Sequence, residues 1–67
     1  MPRTTTVTDI LEITSVRMFD PAAAYLLESA FNRKEKIEKV ESSFNDPGDD
    51  YVKFFINGKE VCHLNGY

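Results

Sequence analysis

The segment from residue 51 to residue 64 constrains the fold more than any other part of the chain. It contains a dense run of strand formers, YVKFFI, then Asn57-Gly58 and a second apolar run, EVCHL. Asn-Gly is the favoured pair for a two-residue type I′ turn, because both central positions need a positive φ. The segment therefore predicts an antiparallel hairpin with strands over residues 51–56 and 60–64.

A helix is predicted directly after Asp20-Pro21. Asp can accept hydrogen bonds from the free backbone N–H groups at a helix start, and Pro fits the first helical position. The residues that follow, AAAYLLESAF, have high helix propensity. We expect a helix from residue 21 to residue 32 or 34 that buries one apolar stripe. The stripe consists of Ala23, Leu27, Ala30 and Phe31.

Residues 4–18 are rich in β-branched side chains, which favour a pleated backbone. We interpret this segment as a strand, with a bulge where the alternation of apolar residues changes phase. The alternative is a short helix capped by Thr8. It rests on a helical face shared by Val7, Ile10, Leu11 and Thr14.

Residues 36–45 also allow two interpretations. Val40, Ser42 and Phe44 alternate on one face of a strand, whereas Ile37, Val40 and Phe44 have helical spacing. We favour the strand, which would pair with the next strand across a turn. That turn is predicted at Asp46-Pro47-Gly48-Asp49, with Pro and Gly at its two central positions.

Together these elements predict an α+β fold, a single domain over residues 1–67, in the order β-α-β-β-β. One helix would pack on an antiparallel sheet of three to four strands. If residues 36–45 were helical, the fold would instead be a strand, a long helix and a hairpin. A chain of 67 residues buries only about 60% of its unfolded surface, so its core is marginal and association with another chain is favoured.

Composition argues against several classes of protein. A net charge of −3 argues against duplex nucleic acid as the main ligand. No apolar run approaches the ~20 residues of a membrane span, and the N-terminus lacks the apolar segment of a signal peptide. The single cysteine, Cys62, cannot form an internal disulfide. We therefore expect a cytoplasmic protein with no membrane association.

No catalytic or metal-binding constellation is evident in the sequence. Cys62 and His63 are neighbours in a predicted strand, so their side chains should point to opposite faces, and no second His or Cys completes a zinc site. The loop that contains Asp46, Asp49 and Asp50 does not match the spacing of an EF-hand. We expect no enzymatic activity, no metal and no cofactor.

The predicted hairpin presents an aromatic sheet face. If alternate residues of the strand over 51–56 face the helix, Tyr51, Lys53 and Phe55 face the other side, which one helix cannot cover. Clustered exposed aromatic residues often mark an interface. We therefore expect a small acidic interaction module, regulator or inhibitor, of the size and charge typical of phage- or mobile-element-encoded proteins. It would act through a sheet face or edge on a protein partner or as a homodimer.

A second hypothesis is a module that binds single-stranded nucleic acid. Its basic cluster attracts phosphates, and aromatic residues on the sheet face would stack on bases. Interleaved glutamates at 35, 38 and 41 weaken the field of the cluster, so this hypothesis stays the alternative. The cluster consists of Arg33, Lys34, Lys36 and Lys39.

Overall fold

The computed structural model describes residues 3–42 and 50–65. Within them, four strands form one antiparallel sheet in the order β1-β2-β3-β4, and the helical segments form a layer on one face. The predicted α+β class is confirmed, and the single antiparallel sheet has four strands, within the predicted three to four. In chain order the elements are β1 (Arg3–Thr6), α1 (Ile10–Thr14), a 3₁₀ helix (Ser15–Met18), α2 (Pro21–Asn32), β2 (Ile37–Ser42), β3 (Tyr51–Ile56) and β4 (Lys59–Asn65).

The β3–β4 hairpin is confirmed, together with its turn. Asn57 has a φ of 52° and Gly58 a φ of 83°, the two positive values that a type I′ turn requires. A Cβ atom added at Gly58 would meet no other atom within 4 Å, so the backbone conformation, and not crowding, favours glycine there. The register shifts by one residue after Phe54, which places a bulge in the hairpin.

Helix α2 begins as predicted. The Asp20 side chain accepts a hydrogen bond from the Ala23 backbone N–H at 3.1 Å, and Pro21 occupies the first turn. The face toward the sheet is built from small and aliphatic residues. The buried residues of α2 are Ala23, Ala24, Leu27 and Ala30.

Helix α2 ends in a Schellman motif without glycine. The Lys34 N–H donates to the Phe31 carbonyl, and the Glu35 N–H donates to the Ala30 carbonyl, both at 3.0 Å. This geometry requires a left-handed residue after the cap, and Lys34 provides it with a φ of 60°. A side chain with a Cβ atom therefore occupies a position that usually favours glycine.

The predicted strand over residues 4–18 is wrong beyond Thr6. Asp9 caps a short helix, because its side chain accepts from the Leu11 N–H at 2.9 Å. Ile13 and Val16 lie three residues apart and are both fully buried, which is the spacing of a helix and not of a strand. The alternative interpretation was correct in element type, although the cap is Asp9 instead of Thr8. The helical layer consequently contains α1 and α2, and not a single helix.

Residues 37–42 form a strand, so the favoured interpretation of this segment is confirmed. Strand β2 pairs antiparallel with both β1 and β3, and its register with β3 runs from Ile37↔Ile56 to Ser42↔Tyr51. The predicted turn at residues 46–49 lies outside the described residues, as does Phe44.

The core lies between the helical layer and one face of the sheet. Val52 and Phe54 point into it from β3, and Ile56 packs at its margin, as the alternation predicted. Strands β1 and β4 are the edges of the sheet. The buried core residues are Val7, Ile13, Val16, Ala23, Ala24, Leu27, Ala30, Ile37, Val52, Phe54 and Cys62.

Candidate interaction surfaces

The outer sheet face, which we define by Tyr51, Lys53 and Phe55, lies opposite the helical layer. The Lys53 ammonium nitrogen is 5.2 Å from the centre of the Tyr51 ring and 3.7 Å from a carboxylate oxygen of Glu60. The rings of Tyr51 and His63 meet edge to face with their centres 5.9 Å apart. The predicted residues therefore share one face, and their side chains already contact one another.

The same face exposes little apolar surface. Tyr51, Lys53 and Phe55 are each only half-exposed or less. Phe55 has Glu38 on one neighbouring strand and Glu60 on the other as its cross-strand partners. Charged neighbours on both sides and partial burial reduce the area that a hydrophobic partner could cover.

Six large apolar residues, which lie in the helical segments or in the link between two of them, are exposed. Met18 is 87% exposed, Tyr25 is 72% exposed and Leu11 is 69% exposed. We call the full set the helical-layer surface. It consists of Ile10, Leu11, Met18, Phe19, Tyr25 and Leu26.

Part of this surface exists because α2 carries two large apolar residues outside its buried stripe. Its buried stripe faces the sheet, and Tyr25 and Leu26 project from the opposite side. Glu28 is the one charged residue within α2. A surface helix usually carries polar and charged residues on its outer face, whereas α2 has only one charged residue and exposes Tyr25 and Leu26.

The rest of the helical-layer surface comes from the segment that leads into α2. Met18 and Phe19 directly precede its capping residue, Asp20, and α1 packs against α2 with Ile10 and Leu11 exposed. With roughly 200 Å² for a large side chain, the exposed fractions amount to on the order of 700 Å² of a total surface of 4669 Å². One partner contributes about 800 Å² of polar and apolar area together to a standard protein interface, so an interface of that size has room for all six side chains.

The predicted basic cluster is partly neutralised by its own neighbours. A carboxylate oxygen of Glu35 accepts from the Arg33 guanidinium at 2.7 Å. Lys39 lies in β2 and forms ion pairs with Glu12 at 2.9 Å and Glu41 at 3.0 Å. Lys34 and Lys36 are exposed. The structure therefore does not join the four cations into one continuous patch.

The Glu12–Lys39 pair connects the helical layer to the sheet. The hydrogen bond from Lys39 lowers the pKa of Glu12, against the opposing effect of burial. Burial alone would lower the pKa of Lys39, but the hydrogen bonds that its ammonium donates to Glu12 and Glu41, together with their charges, outweigh burial and raise that pKa. Both groups are therefore held in their charged forms at neutral pH.

Cys62 and His63 point to opposite faces of β4, as predicted. Cys62 is 4% exposed within the core, whereas His63 is exposed. Burial raises the pKa of the Cys62 thiol, and the charges of Asp20 and Glu60 raise it further. The thiol is therefore a poor nucleophile at neutral pH.

Within residues 3–42 and 50–65, no three His, Cys, Asp or Glu side chains converge so that they could hold a metal ion. None of the helices described there is long and apolar enough to cross a bilayer.

No protein-family model, curated protein or solved structure matches this chain. The helical-layer surface was missed by our sequence reasoning, which counted only the residues of α2 that form the buried stripe. The signal was nevertheless present, since Tyr25 and Leu26 are large apolar residues that lie off that stripe.

Proposed function

We propose that this chain is an interaction module that binds another protein chain through its helical-layer surface. The observation that carries the proposal is the exposure of six large apolar side chains on one layer of a 67-residue protein. The largest apolar patch on a typical monomer is about 300–600 Å² and is often functional. Binding would remove this area from water, at roughly 25 cal/mol per Å² before the costs of association.

The outer sheet face supports such a role less well. Its aromatic rings are partly covered, and Lys53 is engaged by Tyr51 and Glu60. The edge strand β4 also discourages the addition of a partner strand, because it carries a bulge and the exposed charges of Lys59 and Glu60. The proposed binding surface is therefore the helical layer and not the sheet face or edge that the sequence suggested.

The test is a pull-down from native lysate with the wild-type protein and two matched double variants. Tyr25→Gln/Leu26→Gln makes the helical-layer surface polar and keeps good helix formers in α2. Tyr51→Thr/Phe55→Thr changes the outer sheet face and keeps strand formers in β3. Both variants are first shown by circular dichroism to be folded.

We expect the helix variant to lose the proteins that the wild type captures and the sheet variant to retain them. Loss in the sheet variant alone would move the binding surface to the outer sheet face. Equal capture by all three proteins would show that neither face binds, and the proposed function would be wrong.

A further inference from the structure

We propose that the partner contributes an amphipathic helix that carries Lys or Arg residues beside its apolar face. This inference rests on the proposed function and adds the chemistry of the partner to it. It follows from the distribution of charge in the helical layer and from the helices that form the helical-layer surface.

The helical layer is acidic. Residues 9–32 contain four carboxylates, which are Asp9, Glu12, Asp20 and Glu28, and one cation, Arg17. The other seven Lys and Arg residues all belong to β1 or to residues 33–59. The apolar surface therefore lies on the side of the molecule where negative charge prevails.

Two of these carboxylates remain available to a partner. Glu28 is paired with Arg17, and Glu12 is paired with Lys39. Asp9 and Asp20 each accept a backbone N–H at the start of a helix, and neither forms an ion pair with a cation in the described part of the chain. Each carboxylate can accept further hydrogen bonds, because an ionised carboxylate has about four lone-pair sites.

The available carboxylates are neighbours in sequence of the exposed apolar residues. Asp9 is followed by Ile10 and Leu11, and Asp20 is preceded by Met18 and Phe19. When a partner covers these apolar side chains, the polar edge of its contact surface comes within reach of both carboxylates. Cations on that edge complement the charge, and anions are repelled.

A second copy of this chain fits the surface less well. A symmetric dimer would place the same patch on both subunits, so two acidic layers would face each other. An anionic lipid surface is disfavoured for the same reason. A helix is the partner element that suits this layer, because α1 and α2 pack together and the side-chain ridges of packed helices accept the ridges of another helix.

The experiment uses three synthetic peptides of about 18 residues, or five helical turns. The first places Leu on one helical face and Lys on the other. The second has the same Leu pattern with Glu in place of Lys, and the third is a scrambled Leu/Lys sequence without helical periodicity. Binding to the wild-type chain is measured by calorimetry at low and high salt, and the contact surface is mapped by amide chemical shifts.

Two protein variants identify the side chains that bind the peptide. Asp9→Asn/Asp20→Asn removes both charges and keeps the helix caps, because Asn caps a helix as well as Asp does. Tyr25→Gln/Leu26→Gln removes apolar surface. We expect the patterned Leu/Lys peptide to bind best, with weaker binding in salt and roughly three- to tenfold weaker binding to the Asn variant. The shifted amides should lie in residues 9–29.

The possible failures can be distinguished. Equal binding of the Leu/Glu and Leu/Lys peptides would overturn the charge preference, whereas the proposed function would stand. Undiminished binding of the Leu/Lys peptide to the Tyr25→Gln/Leu26→Gln variant would overturn both the inference and the proposed function. If the wild-type chain is a dimer in sedimentation equilibrium and the Tyr25→Gln/Leu26→Gln variant is a monomer, a second copy occupies the surface and the inference is overturned. The absence of binding by every peptide would also overturn it.

Discussion

The carboxylate of Glu12 should stabilise the fold more than any other exposed or half-exposed acid in the described structure, because it has two roles. It accepts hydrogen bonds from the Thr8 and Asp9 backbone N–H groups, which supplies the glutamate half of a capping box at the start of α1. It also forms an ion pair with Lys39 of β2, whose side chain is only 19% exposed. Loss of this carboxylate therefore weakens α1 and its attachment to the sheet at the same time.

The expected magnitudes follow from these two roles. A helix cap contributes about 1 kcal/mol, and a partly buried ion pair contributes roughly 1 kcal/mol. Glu12→Ala should therefore lower the free energy of unfolding by about 2 kcal/mol. Glu12→Gln retains a side chain that can complete the capping box, so it should lower the free energy by only about 1 kcal/mol.

Glu41→Gln is the matched control. Glu41 contacts the same Lys39 nitrogen at 3.0 Å, but its side chain is 51% exposed. Its removal should change the free energy of unfolding by less than about 0.5 kcal/mol. Urea unfolding followed by far-ultraviolet circular dichroism measures all three variants. An effect of Glu41→Gln as large as that of Glu12→Gln would refute the dual role of Glu12.

The pH dependence provides a second check on the same prediction. The pKa of Glu12 in the folded protein lies below its ordinary value of 4.5, so the unfolded chain binds this proton more readily. The stabilisation is therefore complete above pH 4.5 and is lost as the pH falls through the lowered pKa of the folded protein. The difference in stability between the wild type and Glu12→Gln should shrink in that window, and a constant difference at lower pH would contradict the assignment.

Three further predictions concern the backbone and the cysteine. Lys34→Gly should raise the free energy of unfolding by about 0.5 kcal/mol in urea titrations. The relief of strain at a positive φ outweighs the greater backbone freedom of glycine in the unfolded chain. A loss of stability would contradict the Schellman geometry. Gly58→Ala should lower the free energy of unfolding by about 1 kcal/mol, a conformational cost alone because the added Cβ has free space; an unchanged melting temperature would count against the type I′ turn. Cys62 should react with Ellman's reagent at pH 8 only after unfolding in guanidinium; rapid reaction of the folded protein would show that the thiol is accessible.

The hairpin and α2 could be predicted from sequence because their signals are local. Asn57-Gly58 specifies its turn through backbone conformation alone, and Asp20-Pro21 specifies a helix start through one cap and one fixed φ. Neither signal depends on which other segments pack nearby. The apolar spacing around residues 37–42 matches both the strand and the helix period, so that segment has no comparable local signal.

The prediction for α1 failed because intrinsic propensity was given more weight than capping and burial. Thr14 is β-branched, yet its hydroxyl donates to the Ile10 carbonyl at 3.0 Å and so is accommodated within the helix. Ile13 and Val16 are buried by tertiary packing that no local preference reveals. The short pattern of Asp9 and Glu12, three residues apart, was the local signal for this helix.

The proposed binding surface could not be predicted by the same route. Alternation in β3 correctly placed Tyr51 and Phe55 on one face, but it could not show how much of each ring the neighbouring strands cover. The exposure of Tyr25 and Leu26 depends on whether a second layer covers α2. The part of the chain that the structure describes provides no such layer.

The most direct test of the central proposal is site-specific photo-crosslinking in living cells. Two versions of the protein carry p-benzoylphenylalanine, one in place of Tyr25 and one in place of Phe55, so that an aromatic residue is retained at each position. We predict covalent adducts with another protein chain from the Tyr25 position and none from the Phe55 position. Adducts from the Phe55 position alone, or from neither position, would contradict the proposal that the helical-layer surface is where this protein binds.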